Sequence, residues 1–361
     1  MVLARLGRAA VAATLAPLVD GAVKTALLSR SRASRARSPS ESLGPRERAA
    51  ALRVVTALYD RTEHFASPET FFGARAVITP QRTLVRQKGD VEVVDLTWPS
   101  ERPTFVPDVA EKYLASRENR KAHARWFRGH GKNRPAIILL HGYLGGAPAF
   151  EERAWPVAAF VRRGLDVVLF ALPFHGPRGD GRRPKFPGSD PRITIEGFRQ
   201  AIFDLDALIG FLRRQGAPHV GAMGMSLGGY TTALAATVLP DLDFAAPFVP
   251  LASLADFARD DGRFVGTDED RDEQHRLLEN AHAVVSPLAR SLRTPRARTL
   301  VFGAERDAIT PIAHAEKLAS HFGVPLTRMP GSHLVQVGRG DAFRTLLAML
   351  SREGVLPQMQ V

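Results

Sequence analysis

The stretch "GAMGMSLGGYTTALAA", Gly221 to Ala236, sets a serine between glycines, with an apolar run before it and small and apolar residues after it. A serine hydroxyl attacks a carbonyl carbon only with a base to take its proton and donors to hold the oxyanion that forms. In a chain with 30 glycines a bare G-x-S-x-G is weak evidence. Context decides its meaning. If Ser226 ends a strand and a helix starts at the next residue, the serine sits on a strained turn with its Oγ above the sheet, beside the positive end of the helix. Gly224 and Gly228 then leave room for strand and helix to approach closely.

The partners of such a serine follow it in the order acid, then histidine. "VFGAERDAITP" ends an apolar run with Asp307 in the loop beyond, and "MPGSHL" places His333 after the next run. Asp307 would orient the imidazole; His333 would take the serine proton and return it to the leaving group. Glu305 is the competing acid, less favoured because it is two residues nearer the strand. Histidines 275, 282, 314 and 321 also follow the serine but fall in helical or capping segments. The oxyanion needs two backbone N–H groups. One is that of Leu227; the other should come from the loop "HGYLGG" (141–146), with Tyr143 preferred and Leu144 second. His141 is expected to hold this loop by hydrogen bonds.

A second loop, "PFHGPRGDGRRPKFPGSDP" (173–191), carries Arg178, Arg182, Arg183 and Lys185, which could attract an anionic acyl or phosphate group. A solvated basic loop is the simpler reading. His175 and Arg178 are kept as candidate substrate-binding residues. The sequence has no metal-ligand cluster, P-loop or dinucleotide fingerprint, so no metal and no cofactor are expected. With no cysteine, a thiol nucleophile and thiolate metal sites are excluded.

The elements that must position these residues are legible as apolar runs. "PAIILLHG" (135–142), "LDVVLFALP" (165–173), "HVGAMGMS" (219–226), "DFAAPFVPLA" (243–252), "RTLVFGAE" (298–305) and "VPLTRMPG" (324–331) read as strands, the first of them a continuous apolar run of the kind buried on both faces of a parallel sheet. Helices are expected at about 149–163, at 194–216, at 227–239 and at 341–351. The clearest is 194–216, with Phe198, Ala201, Ile202, Leu205, Leu208, Ile209 and Leu212 on one stripe. This alternation predicts an α/β chain with a doubly wound, mostly parallel sheet and helices on both faces, its chemistry at the carboxyl ends of the strands. Before it, 42–65 reads as one helix, 82–88 and 91–99 as a hairpin turning at Gly89-Asp90, and 124–128 as a third strand.

Three divisions are therefore expected: a basic helical arm and linker (1–45), a helix and β-rich segment (46–130), and the catalytic core (131–352). Within the core, the acidic, polar stretch 253–290 is expected to form a mobile helical cap. Half of the net charge of +12 comes from residues 1–46, with eight basic and two acidic residues. No nucleic-acid motif accompanies that charge, and nucleic acid is not an expected partner. The arm's Ala-rich run is broken by Pro17 and ended by Asp20, too short to span a bilayer. Residues 1–37 could touch an anionic membrane surface, or the arm could pack on its own domain. The expected location is cytoplasmic.

"HGYLGG", "GMSLGG", "GAERDAITP" and "GSH", in that order, resemble the α/β-hydrolase superfamily of serine esterases, lipases and peptidases. The resemblance covers about residues 130–352. It implies an eight-stranded type of core sheet, a Ser226–Asp307–His333 triad and an oxyanion hole from Tyr143 and Leu227. The expected activity is hydrolysis of a small-molecule carboxylic ester or thioester. A peptidase of the same fold and a non-catalytic binding or scaffold protein are the alternatives.

Overall fold

The computed structural model describes residues 20–21 and 43–356 of the 361-residue chain. The basic helical arm expected over 1–45 and the membrane contact expected through residues 1–37 lie outside the described residues, apart from Asp20, Gly21 and 43–45. Among the described residues no helix is long and apolar enough to cross a membrane.

One sheet organises the fold. Its strands are β1 (Gln81–Lys88), β2 (Val91–Pro99), β3 (Lys121–Arg128), β4 (Ala136–Leu140), β5 (Asp166–Phe170), β6 (Val220–Met225), β7 (Phe244–Phe248), β8 (Val301–Ala304) and β9 (Leu326–Met329). Their order across the sheet is β1-β2-β3-β5-β4-β6-β7-β8-β9. β1 to β3 form an antiparallel meander, and β3 pairs antiparallel with β5. From β5 and β4 to β9 all pairing is parallel. The sheet has nine strands, at the nine runs read as strands in the sequence; the hairpin supplies the outermost one, beyond the eight-stranded type that the family resemblance implies. Residues 81–128 belong to this same sheet, so the expected limit at residue 131 is a change from antiparallel to parallel pairing.

Burial follows the pairing. β4 and β5 are buried at every position, as continuous apolar runs between two helical layers require, whereas β2 alternates over much of its length. β1 is exposed throughout and carries a bulge between Leu84 and Arg86.

The α-helices of six residues or more among the described residues are α1 (Pro45–Tyr59), α2 (Pro148–Ala154), α3 (Val157–Arg162), α4 (Pro191–Arg214), α5 (Leu227–Val238), α6 (Leu254–Asp260), α7 (Asp268–His282), α8 (Ile312–Phe322) and α9 (Arg339–Arg352). Two expected helices are broken. The one read over 42–65 ends at Tyr59 and resumes as Thr62–Ala66. The extended backbone at Arg61 turns His64 inward onto the rings of Phe71 and Phe105. The helix read over 149–163 divides into α2 and α3 at Pro156, which has no N–H to continue the ladder. α8 was not read as an element of its own.

α1, α4 and α5 cover one face, with Tyr59, Phe198, Ile202, Leu227 and Tyr230 in a shared core. α3 and α9 cover the other, with Phe160, Leu346 and Leu350. α4 starts cleanly because Pro191 opens it and the Asp190 side chain accepts the Arg192 N–H. Stretch 253–290 is helical, as α6 and α7, and α7 packs against α1. Asp256 accepts hydrogen bonds from His275 (2.8 Å) and Lys317 (2.7 Å), and Ser253 bonds Glu279, so polar contacts tie these helices to each other and to α8.

Candidate active site

Among the described residues five non-glycine residues have positive φ, and four of them mark one edge of the sheet: Leu144, Phe174, Ser226 and Val249 follow β4, β5, β6 and β7 respectively. Such conformations are sparsely populated and persist only where the surroundings enforce them. Their alignment at the carboxyl ends of consecutive parallel strands marks where ligands bind in such sheets.

Ser226 stands between β6 and α5 at φ 56°, ψ −114°. The glycines around it are sterically required. A Cβ on Gly224 would lie 2.1 Å from the Gly228 carbonyl oxygen, and a Cβ on Gly228 would lie 2.2 Å from that of Leu140. Both obstacles are backbone and cannot swing away. The Ser226 N–H donates to the Phe248 carbonyl at 3.0 Å, which fixes the turn against β7. Leu227 is the first residue of α5, and first-turn N–H groups have no partner within their own helix.

Asp307 follows β8, and His333 follows β9. They are hydrogen-bonded: Nδ1–H of His333 donates to Oδ2 of Asp307 at 2.7 Å, with both side chains buried. The carboxylate can only accept, so Nδ1 carries a proton and Nε2 is the ring nitrogen left to act as base. Oδ1 of Asp307 accepts the backbone N–H of Ile309 (2.9 Å) and Thr310 (2.7 Å), which aims Oδ2 at the ring. The Thr310 hydroxyl lies 2.9 Å from Asp307 Oδ2, 3.0 Å from His333 Nδ1 and 3.1 Å from the Val249 carbonyl, joining acid, base and β7. Glu305 is exposed.

The serine approaches this pair through its neighbours. Gln336 donates to the Met225 sulfur (3.4 Å) and to the His333 carbonyl (2.9 Å), linking the residue before the serine to the histidine loop. Among the described residues the Ser226 hydroxyl makes no hydrogen bond to the imidazole. Histidines 275, 282, 314 and 321 bond instead to Asp256, the Leu278 carbonyl, the Ala252 N–H and the Arg290 carbonyl.

The loop 141–146 passes over the serine, since a Cβ on Gly142 would meet that of Ser226 at 3.5 Å. His141 holds this loop as a fixed tautomer. Its Nε2 accepts the Leu172 N–H at 3.0 Å, so Nδ1 carries the proton and donates to the Gly142 carbonyl at 2.8 Å. Burial, together with His175 and Arg178, pushes its pKa down to about 3. The loop's far end is held by Glu151 of α2, whose Oε1 accepts the Gly146 N–H at 2.8 Å and whose Oε2 accepts the Trp155 indole N–H at 3.1 Å. Burial raises the Glu151 pKa.

Two candidate substrate contacts are corrected. Arg178 is wholly buried; its Nη1 pairs with Asp204 at 2.9 Å, and its Nη2 donates to the Ser100 hydroxyl at 3.1 Å. It neutralises a carboxylate inside the protein and cannot meet a ligand there. His175 is 1 % exposed, donates Nδ1–H to the Pro173 carbonyl at 2.8 Å and packs edge-on against Tyr143. Burial lowers its pKa to about 4, so the neutral ring supports Tyr143 from within. Arg183, by contrast, is exposed and donates Nε–H to the Tyr143 hydroxyl at 2.9 Å.

Glu151 and Thr310 were missed from the sequence. Thr310 offers a signal in retrospect, an Asp-x-x-Thr turn whose side chains can bond each other; Glu151 offers none. A crevice lined by Ser100, Arg102, Tyr113, Asn119, Glu196 and Gln200 contains no member of this constellation. Ser226 itself is 8 % exposed and lies under cover.

No family model matches the chain. An uncharacterized protein found in two strains of Mycobacterium tuberculosis is 30% identical over 258 residues, which are 68% of this chain and 61% of that protein. The chain therefore spans about three fifths of the length of the curated relatives it matches. Among solved structures, acetyl xylan esterase 1 of a Thermoanaerobacterium species superposes with a TM-score of 0.54 at 17% identity, covering 75% of this chain and 89% of that one. An acetyl xylan esterase of a Paenibacillus species gives 0.53 at 14% identity over 83% and 93%. An esterase of Pyrococcus furiosus gives 0.51 at 17% identity over 77% and 99%. Identities this low speak to architecture alone, and with the strand order and the turn at Ser226 they establish that the chain has the α/β-hydrolase fold.

Proposed function

We propose that the chain is a serine hydrolase that cleaves carboxylic esters or thioesters of small to medium acyl groups through an acyl-enzyme. The observation that carries this reading is the preassembled acid–base pair Asp307–His333 beside a serine held at positive φ on a strand-to-helix turn. A structural serine has no need of such a conformation, which costs on the order of 1–3 kcal/mol. The esterase activity named for the three solved structures supports the same substrate class.

In this mechanism Ser226 Oγ attacks the carbonyl carbon while His333 Nε2 takes the hydroxyl proton. Asp307 balances the imidazolium. The negative oxygen of the tetrahedral intermediate is held by the N–H groups of Tyr143 and Leu227. Collapse breaks the bond to the alcohol or thiol, which leaves with the proton from Nε2. Water then attacks the acyl-enzyme, giving its proton to Nε2, and the acid departs as Ser226 is restored. Proton transfer requires Oγ and Nε2 to close to roughly 3 Å in the substrate complex.

A fluorophosphonate probe tests this directly. It should label wild-type protein at Ser226 and leave Ser226→Ala unmodified, and the same variant should lose p-nitrophenyl acetate hydrolysis. Folded wild-type protein that resists the probe and cleaves none of a graded series of esters and thioesters would make the chain a non-catalytic relative of hydrolases.

A further inference from the structure

Asp20 is fully buried, 0 % exposed, against two loops that lie about three hundred residues away in sequence. Its Oδ1 accepts the Ser332 hydroxyl at 2.9 Å and the Leu334 N–H at 3.0 Å. Its Oδ2 accepts the His333 N–H at 2.7 Å, with the Ala308 N–H at 3.5 Å. One carboxylate thus collects donors on both sides of the histidine and the residue following Asp307. The histidine's side chain bonds Asp307 while its own backbone bonds Asp20, so the residue is held at its ring and at its main chain.

We infer that Asp20 is a positioning residue for His333, a carboxylate that completes the active site from outside the sheet. This rests on the reading of Ser226, Asp307 and His333 as a triad. The loop 331–338 is built from Gly331, Ser332 and Gly338 among others, and no strand ladder fixes it. Its other backbone ties are few, the Arg306 N–H to the Gly331 carbonyl at 3.1 Å and the Val335 N–H to the Ser332 hydroxyl at 3.2 Å among them, while the Gln336 side chain reaches the Met225 sulfur at 3.4 Å. A carboxylate is the one common side chain able to accept three or four donors at once. An asparagine in its place keeps a single acceptor oxygen and turns an amide –NH₂ toward two donors, so half of the clamp becomes repulsive. Without the clamp the His333 backbone is no longer held in place, and a displacement of the imidazole near 1 Å costs about 10²-fold in rate.

The test compares full-length wild type, Asp20→Asn and Asp20→Glu for p-nitrophenyl acetate turnover, with amide hydrogen exchange followed at His333 and Leu334. For Asp20→Asn we expect kcat lowered about 10²-fold with KM within about twofold, since the clamp acts on the base and not on substrate contacts. Asp20→Glu, which keeps the acceptors on a longer stem, should recover part of the loss. In wild type the two amides should be protected, and in Asp20→Asn they should exchange at least tenfold faster while the strands keep their protection. Unchanged kcat in Asp20→Asn, or unprotected His333 and Leu334 amides in wild type, overturns the inference. If Asp20→Asn fails to fold, the wild-type exchange and the Asp20→Glu rate decide alone. An inactive, unlabelled wild type instead defeats the triad reading, and protected amides would then leave Asp20 as a purely structural clamp and the inference refuted.

Discussion

Replacing Asp307 by asparagine removes one negative charge and changes almost no volume. The side-chain carbonyl must stay on the Ile309 and Thr310 N–H groups, at 2.9 and 2.7 Å, because an –NH₂ there would face two donors. The –NH₂ is then left toward His333 Nδ1, where the carboxylate stands at 2.7 Å in the native protein. Two losses follow. The imidazolium formed during attack has no countercharge, and opposite charges about 4 Å apart at an effective dielectric near 20 are worth about 4 kcal/mol, or some 10³ in rate. Nδ1 must also become an acceptor, which moves the resting proton to Nε2 and removes the base; together the effects should lower kcat about 10⁴-fold. Folding should suffer little, since both backbone bonds survive. The assay is p-nitrophenyl acetate turnover with Ser226→Ala as the floor and Glu305→Gln as a control. Turnover of Asp307→Asn within tenfold of wild type, or an equal loss in Glu305→Gln, would refute the assignment of the acid.

Arg178→Met should destabilise the protein by roughly 3–5 kcal/mol, because it strands the Asp204 carboxylate, 0 % exposed, without its partner. Urea unfolding should show the addition of Asp204→Leu restoring most of that loss, and a cost below 1 kcal/mol for Arg178→Met would contradict the buried pair. His282 is buried, and burial lowers its pKa to about 4. It stays neutral in the fold while the unfolded chain takes up a proton below its ordinary value near 6.5, so stability is full above that value and falls as pH drops toward 4. His282→Gln should flatten the stability slope between pH 6 and 4.5 by about 1.4 kcal/mol per unit. An unchanged slope in chemical denaturation would show that the imidazole is already free to protonate.

How much of this was legible follows from what each residue depends on. Ser226, Asp307 and His333 stand out because each ends an apolar run, and continuous burial makes such runs visible without any knowledge of pairing. Strand order and the division of helices at Tyr59 and Pro156 depend on packing or on a single residue, and were read less well. Arg178 misled because its loop is basic and reads as solvated. A counter-signal existed: Asp204 falls on the apolar stripe of α4, three residues after Ala201 and four before Leu208, and a charge there demands a buried partner. Asp20 gave no such sign. Its partners are backbone N–H groups, which every residue carries, so no residue type advertises them.

The bulge in β1 has a consequence for how the outermost strand finishes the sheet. Side chains four apart on a regular strand share a face, yet Arg82 covers Trp126 and Phe211 on one side while Arg86 lies over Phe127 on the other and pairs with Glu152. The extra residue between Leu84 and Arg86 switches the parity of the pleat. A single ribbon thereby roofs aromatic rings on opposite surfaces with guanidinium planes. Excising Val85 would bring both arginines to the same side, bare the Phe127 ring to water, and leave the margin of the molecule open to adhesion.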